Sequence, residues 1–371
     1  MTSAASTASA ATPRLTFQAG SRQHRMFQLA GWACFVIPML VLPYVLPSFR
    51  VAQLAQAVGW GIAILGMNMV IGWSGLISLG HIAFTGLGAY TTTILINESR
   101  FDMWMTLPVA FVVCFLFGAL VGLPALKIRG LYLALITLAL ALTFPILIKI
   151  EGGGIARRTG GDNGRTIKEG LKPTGWMRSL LGISGKDASS QVAIYKYFCM
   201  LIIAGICFLL VRNIMKSSPG RGMLAIRDNQ IGAAVSGVPL NKHKVLTFAL
   251  SAAFAGIGGS MIASSLGAIG PTLVGPEYAT LTLMGLVLCG VATLHGCWLG
   301  GLAVVFLQDL APRWIKAVPG VDIDPIFAGA LFGLILVLVP FFMPRGIVQF
   351  ARWLKARFVR VIPQIPRASV V

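Results

Sequence analysis

Along this chain, long apolar stretches alternate with short polar gaps from about residue 26 to about residue 343. Most of the stretches run 17 to 22 residues. As a helix rising ~1.5 Å per residue, each is long enough to cross ~30 Å of hydrocarbon. They are continuously apolar rather than alternating, which points to helices and away from the strands of a membrane barrel. The pattern predicts ten spans, at 26–47, 54–72, 79–97, 106–126, 130–149, 192–211, 245–265, 278–294, 297–311 and 324–343. Segments 73–90 and 290–301 are glycine-rich, so a broken or re-entrant helix is expected at either place. Such backbone is tolerated at membrane depth where protein or a watery cavity covers it. The expected fold class is an all-α polytopic membrane protein.

Composition sharpens this picture. Of 371 residues, 56% are apolar and 11% are charged, against roughly 25% charged in an ordinary soluble domain. So few charges cannot cover the surface of a water-soluble fold of this size. The net charge of +19 would suggest nucleic acid in a soluble protein. Here the charges fall in the gaps between spans, which fits topology signals and anionic headgroups, so membrane lipid is an expected partner and nucleic acid is not.

Lysine and arginine also set an orientation. With ten spans and the N-terminus inside, the cytoplasmic groups are the first tail, Lys127 and Arg129, the 212–244 loop, and everything from Arg345 onward. These hold 17 of the 30 basic residues and a single acid, Asp228. The expected organisation is a disordered cytoplasmic tail at 1–25, a transmembrane domain at 26–348, and a basic cytoplasmic tail at 349–371. The 150–191 loop should lie outside although it is rich in basic residues. Long loops obey the charge rule less strictly.

Chemistry is sparse. The six cysteines lie inside spans or at their ends and form no C-x-x-C pair, as expected of small packed hydrophobes. Four histidines, at 24, 81, 243 and 295, are scattered, so neither a metal site nor a catalytic triad is indicated. No phosphate-binding loop occurs, because Gly185-Lys186 is followed by Asp187 where a hydroxyl residue is required. Asp309 near the end of span nine is expected to pair with Arg313 one turn on.

The most informative polar stretch is 217–259. It reads as a turn at Ser218-Pro219-Gly220, a short helix from about Gly222 to Val235 stopped by Gly237 and Pro239, and a basic connector Lys242-His243-Lys244. The run from Gly220 to Gly237, with the Phe248–Gly259 stretch after it, resembles the coupling region of branched-chain amino acid ABC transporter permeases of the LivM type. Other patches agree in order: 75–84, Gly88-Ala89-Tyr90, 126–134, Thr159–Gly164, Thr293-Leu294-His295-Gly296, and Pro344-Arg345-Gly346. The likeness covers about residues 50–348. Gln230, Gly232, His243 and Val291-Ala292 depart from the usual pattern.

The resemblance implies a permease subunit of an importer in the bacterial inner membrane, moving a small polar solute such as a branched-chain or other amino acid. Urea or a short amide is the neighbouring alternative. Its implied partners are two cytoplasmic ATPase subunits, a second, LivH-like permease and an external solute-binding protein. ATP and Mg would be used by the ATPases, and this chain would be neither an enzyme nor the holder of a cofactor. The ATPase-coupling helix carries over to Arg221, Ala225, Ile226, Arg227, Asp228, Ile231, Ala233 and Gly237. Candidate residues of the translocation path are Gly75, Ser78, His81, Thr85 and Tyr90. A packed, hydrogen-bonded histidine is the competing account of His81. A self-sufficient secondary transporter or channel would need intramembrane carboxylates or lysines, which the span interiors hardly offer.

Overall fold

The computed structural model describes residues 36–316, apart from 127, 129, 152–153, 168–170, 172, 174 and 184, together with 15–18, Met26, Gly346 and 359–362. Span ten, the start of span one and most of both tails lie outside the described residues.

Among the described residues the apolar stretches are helical. Val36–Val45 forms α1. Ser48–Asn68 forms α2, which continues as a π-helical turn over Met69–Trp73. His81–Ser99 (α3), Met103–Gly122 (α4) and Leu131–Leu147 (α5) follow. The 150–191 loop carries two short helices, Ile155–Thr159 (α6) and Gly175–Leu180 (α7). Ala188–Lys216 is α8. Ser218–Asp228 (α9) and Gln230–Val235 (α10) fill the next connection. Leu240–Leu266 (α11), Pro276–Cys289 (α12) and Gly296–Lys316 (α13) complete the described bundle. Among the described residues four stretches, Ser48–Trp73, α4, α8 and α11, are long and apolar enough to cross a membrane. The protein is an all-α, multi-pass membrane protein.

Several helices outrun the apolar stretch that announces them. α8 reaches Lys216 and α11 starts at Leu240, because a helix has no reason to stop where the hydrocarbon does. The ends are set by Ser217 in extended backbone and by Pro239. Both expected breaks are present: non-helical backbone precedes α3 over 75–80 and separates α12 from α13 over 290–295.

Burial orders the bundle. Over their most apolar windows α2 and α11 are 83% and 78% buried, against 33% for α4 and 39% for α8. α11 is the central post, packed on α2, α3 and α4, while α8 and α13 lean on α2. Between lipid-facing helices no hydrophobic drive operates, so close approach of small residues must supply the attraction. A Cβ on Gly88 would overlap the Gly256 carbonyl, and one on Gly258 would lie 2.6 Å from the Ala63 nitrogen. Ser260 donates its hydroxyl hydrogen bond across the α3–α11 seam to the Gly88 carbonyl at 3.2 Å.

α8, 29 residues and roughly 43 Å long, holds the 150–191 loop at one end of the bundle and α9–α10 at the other. The loop end is laced by charge: Arg50–Asp309 at 2.5 Å, Lys149–Asp162 at 2.6 Å, and Arg165–Glu98 at 3.0 Å. Asp309 thus reaches across to Arg50 on α2, a cross-helix pair that spacing within one helix does not reveal. Two strands also form, β2 (Arg165–Thr166) pairing antiparallel with β3 (Ala268–Ile269). Within the first tail, expected to lack structure, β1 (Leu15–Gln18) pairs in parallel with β4 (Val359–Ile362).

Candidate functional site

The segment 217–237 is two helices rather than the single one expected. Asn229 is extended (φ −158°, ψ 110°), and its side chain accepts hydrogen bonds from the Ile231 and Gly232 amides at 3.0 Å each. An asparagine that satisfies two orphan amides is a strong start signal, and it outcompetes continuation of α9. Gly237 ends α10 with φ +80°, a conformation that suits glycine.

α9 is held down by Met223 and Ile226, 0% and 2% exposed. Its Gly222 lies so close under the His243 ring that a Cβ there would overlap the imidazole. Arg221 donates to the Lys216 carbonyl at 2.8 Å. Arg227 reaches out of the segment. Its guanidinium donates to the Gly72 carbonyl at 2.9 Å and lies 3.3 Å from Asp228. Gly72 belongs to the π turn that ends α2, where carbonyls lack helical donors, so an arginine is a fitting partner. Ala225 is partly covered and Ala233 buried, whereas Ile231 and Val235 on α10 are 75% and 85% exposed.

Gly75 closes the other side of this joint. With φ +66°, and with the Leu76 amide bonded to the Val70 carbonyl at 3.0 Å, it terminates the helix in the left-handed manner. A Cβ on it would lie 2.9 Å from the Arg227 side chain. Gly75 is thus in contact with the coupling segment through Arg227.

Those candidates divide. Ser78, His81 and Thr85 are all buried around the start of α3. The Ser251 hydroxyl and His81 Nε2 share a hydrogen bond at 2.7 Å, and Phe84 meets the imidazole edge-on at 5.5 Å between centroids. Thr85 donates to the His81 carbonyl at 3.2 Å. The Ser78 hydroxyl and His81 Nδ1 are buried without a partner among the described residues. Tyr90 is nine residues on, half a turn round the helix from His81, and stands against Phe144 at 6.5 Å. Nearby, Ser74 and Thr247 share a hydrogen bond at 3.2 Å, and the Leu79 amide donates to Thr137 at 3.0 Å. The broken segment is thus pinned to α11 and α5 by hydroxyls. Among the described residues no group of three metal-ligating side chains occurs.

The residue missed from sequence is Asn68. Fully buried at the foot of α2, it donates to the Thr293 carbonyl at 3.1 Å, accepts from the Ala292 amide at 2.9 Å, and lies 3.4 Å from the Cys297 sulfur. Ala292 has φ +63°, unusual for a residue with a Cβ. Asn68 therefore clamps the second break to the helix that ends at the first. The available signal was an amide deep inside span two, where burial demands a partner.

A helical bundle with two interrupted stretches, joined at the foot of a common helix to a tethered helical pair, defines an integral membrane protein built around one polar joint. A family model described as "Branched-chain amino acid transport system / permease component" matches residues 50–340. The chain belongs to this family. It is 27% identical over 356 residues to the high-affinity branched-chain amino acid transport system permease protein LivM of Escherichia coli strain K12, covering 85% of this chain and 79% of that one. It is 28% identical over 303 residues to LivM of Salmonella typhimurium, 78% and 67% of the two chains. The ribose import permease protein RbsC of Haemophilus influenzae is 24% identical over 256 residues, 66% and 71% of the two. No solved structure matches.

Proposed function

We propose that this chain is the permease subunit of an ATP-binding-cassette importer for branched-chain amino acids in a bacterial inner membrane. It works beside a second, similar permease, two cytoplasmic ATPases and an external binding protein. ATP and Mg belong to the ATPases, and this chain holds no cofactor and performs no hydrolysis.

The observation that carries this reading is the Arg227–Gly72 hydrogen bond. Closure of the ATPase dimer has to move membrane helices, and a loose loop would absorb that motion. Here α9 is bonded to the end of α2, and α2 is bonded through Asn68 to the second break. A push on α9–α10 would reach both broken helices through two short polar links. Exposed Ile231 and Val235 offer the apolar contact that seats α10 in an ATPase groove. Alternating access then follows as a population shift driven by the nucleotide state of the partners. His81 and Thr85 lie at the α3–α11 seam with Ser78 buried just ahead of α3, where polar groups would meet solute as the break moves.

In the importer reconstituted with all its subunits, Arg227→Glu should leave membrane insertion and ATP hydrolysis intact while leucine uptake falls to background. Normal uptake by that variant refutes the coupling role. Uptake of urea in place of leucine by the unmodified importer would overturn the substrate assignment and leave the coupling scheme standing.

A further inference from the structure

We infer that the groove between α1 and α8 binds an anionic phospholipid of the leaflet next to α9–α10, the cytoplasmic one on the sidedness proposed above. One face of α8 carries the design. Leu201, Gly205, Phe208 and Leu209 follow one another at helical spacing, and Arg212 then Lys216 continue the same stripe. The eleven steps from Leu201 to Arg212 rise ~16 Å, about the depth of one leaflet's hydrocarbon. An acyl chain laid against the apolar part would bring its phosphate level with the arginine.

The space is there. An open cavity of about 640 Å³ lies along this stripe, with Val36, Met39 and Leu40 of α1 as its other wall. Its floor is the stacked pair Phe208 and Trp298, 4.9 Å apart. At its mouth stand Arg212 and His295. Arg212 is exposed and has no ion pair among the described residues. A second cavity of about 260 Å³ shares Met39 and Trp298 and is lined by Leu42, Leu54 and Val58 deeper in the bundle. It extends the apolar track away from the charged mouth. Apolar along its length and cationic at one end, the groove has the polarity of an anionic phospholipid.

Gly205 supplies the test. A Cβ added there would meet nothing within 4 Å, so a larger side chain enters the groove without disturbing the protein. The full-length chain would be purified in mild detergent with equal phosphatidylglycerol and phosphatidylcholine, and retained lipid counted by native mass spectrometry. Phosphatidylglycerol should be preferred by about tenfold, as expected of a basic pocket at a headgroup surface. Arg212→Gln should abolish the preference. Gly205→Leu should strip both lipids with the melting temperature unchanged, and it decides the matter if the arginine variant fails to fold. Excess inorganic phosphate should displace nothing. Equal retention of the two lipids, indifference to both substitutions, or displacement by phosphate would each overturn the assignment, the last in favour of a free-anion site. Leucine uptake is not the readout, so failure here is separable from failure of the transport reading.

Discussion

The two ends of this bundle are held together by different physics. At the loop end, helices are tied by ion pairs whose members are partly or well exposed, such as Lys149–Asp162 and Arg165–Glu98. At the α9–α10 end the ties are few and mostly buried: Asn68 on the 290–295 backbone, His81 on Ser251, and half-covered Arg227 on Gly72. Exposed ion pairs contribute ~0–1 kcal/mol each, because water already solvates both partners. A buried polar group that loses its partner costs the full desolvation, ~1–3 kcal/mol. The loop end can therefore lose any one tie and keep its shape. The other end depends on each link, as a joint that must transmit motion does.

The largest effect should come from Asn68→Leu. It leaves the Ala292 amide and Thr293 carbonyl without their Asn68 bonds at a loop with a left-handed, non-glycine residue. A loss of about 2–5 kcal/mol is expected, from two or three broken buried hydrogen bonds. Denaturant titration of the purified protein would measure it. A loss no greater than that of a loop-end charge variant would erase the contrast between the ends.

Next comes Ser251→Ala, which removes the hydroxyl hydrogen-bonded to Nε2 of a histidine that is 1% exposed. It should cost about 1–3 kcal/mol. Ser251→Thr, which keeps the hydroxyl, should recover much of that if the tight α3–α11 seam admits a methyl. Equal loss in both variants would mean that packing, not the hydrogen bond, sets the value of this position.

How much of this was legible beforehand differs between the same two ends. The spans followed from length and apolarity, and both breaks from glycine density, since no other residue so readily ends and restarts a helix at membrane depth. The tethered helical segment was visible through Ser217-Ser218-Pro219 and Gly237. Its interruption was not, because Asn229 reads equally well as a polar position on a helix face until its side chain is seen to cap Ile231 and Gly232. Gly75 was named for the translocation path beside His81, and its turn also brings it against Arg227. Tyr90 was grouped with His81 too, though nine residues put it on the opposite face. Asp309 bonds Arg50, 259 positions away, a contact that spacing along one helix does not reveal, while the side chain of Arg313, its expected partner, lies outside the described residues. In each case the sequence spacing was correct, and what it lacked was which helix stands opposite.

The smallest effect should come from that last pair. Arg50 and Asp309 meet at 2.5 Å with side chains 22% exposed, better covered than the other loop-end pairs and so the fairest challenge to the contrast. Arg50 keeps a second partner, the Gln53 side-chain oxygen Oε1 at 2.8 Å, when the carboxylate is removed. Asp309→Asn also retains an oxygen able to accept. The coupling energy from a cycle of Arg50→Gln, Asp309→Asn and the double variant should be no more than about 1 kcal/mol. It should shrink further as salt is raised, because charges near water are screened over ~10 Å at 0.1 M. A coupling above about 3 kcal/mol, indifferent to salt, would make this pair a buried bridge in effect. The loop end would then be bolted as firmly as the other, and motion entering through α9 would have to bend α2 against two fixed points instead of one.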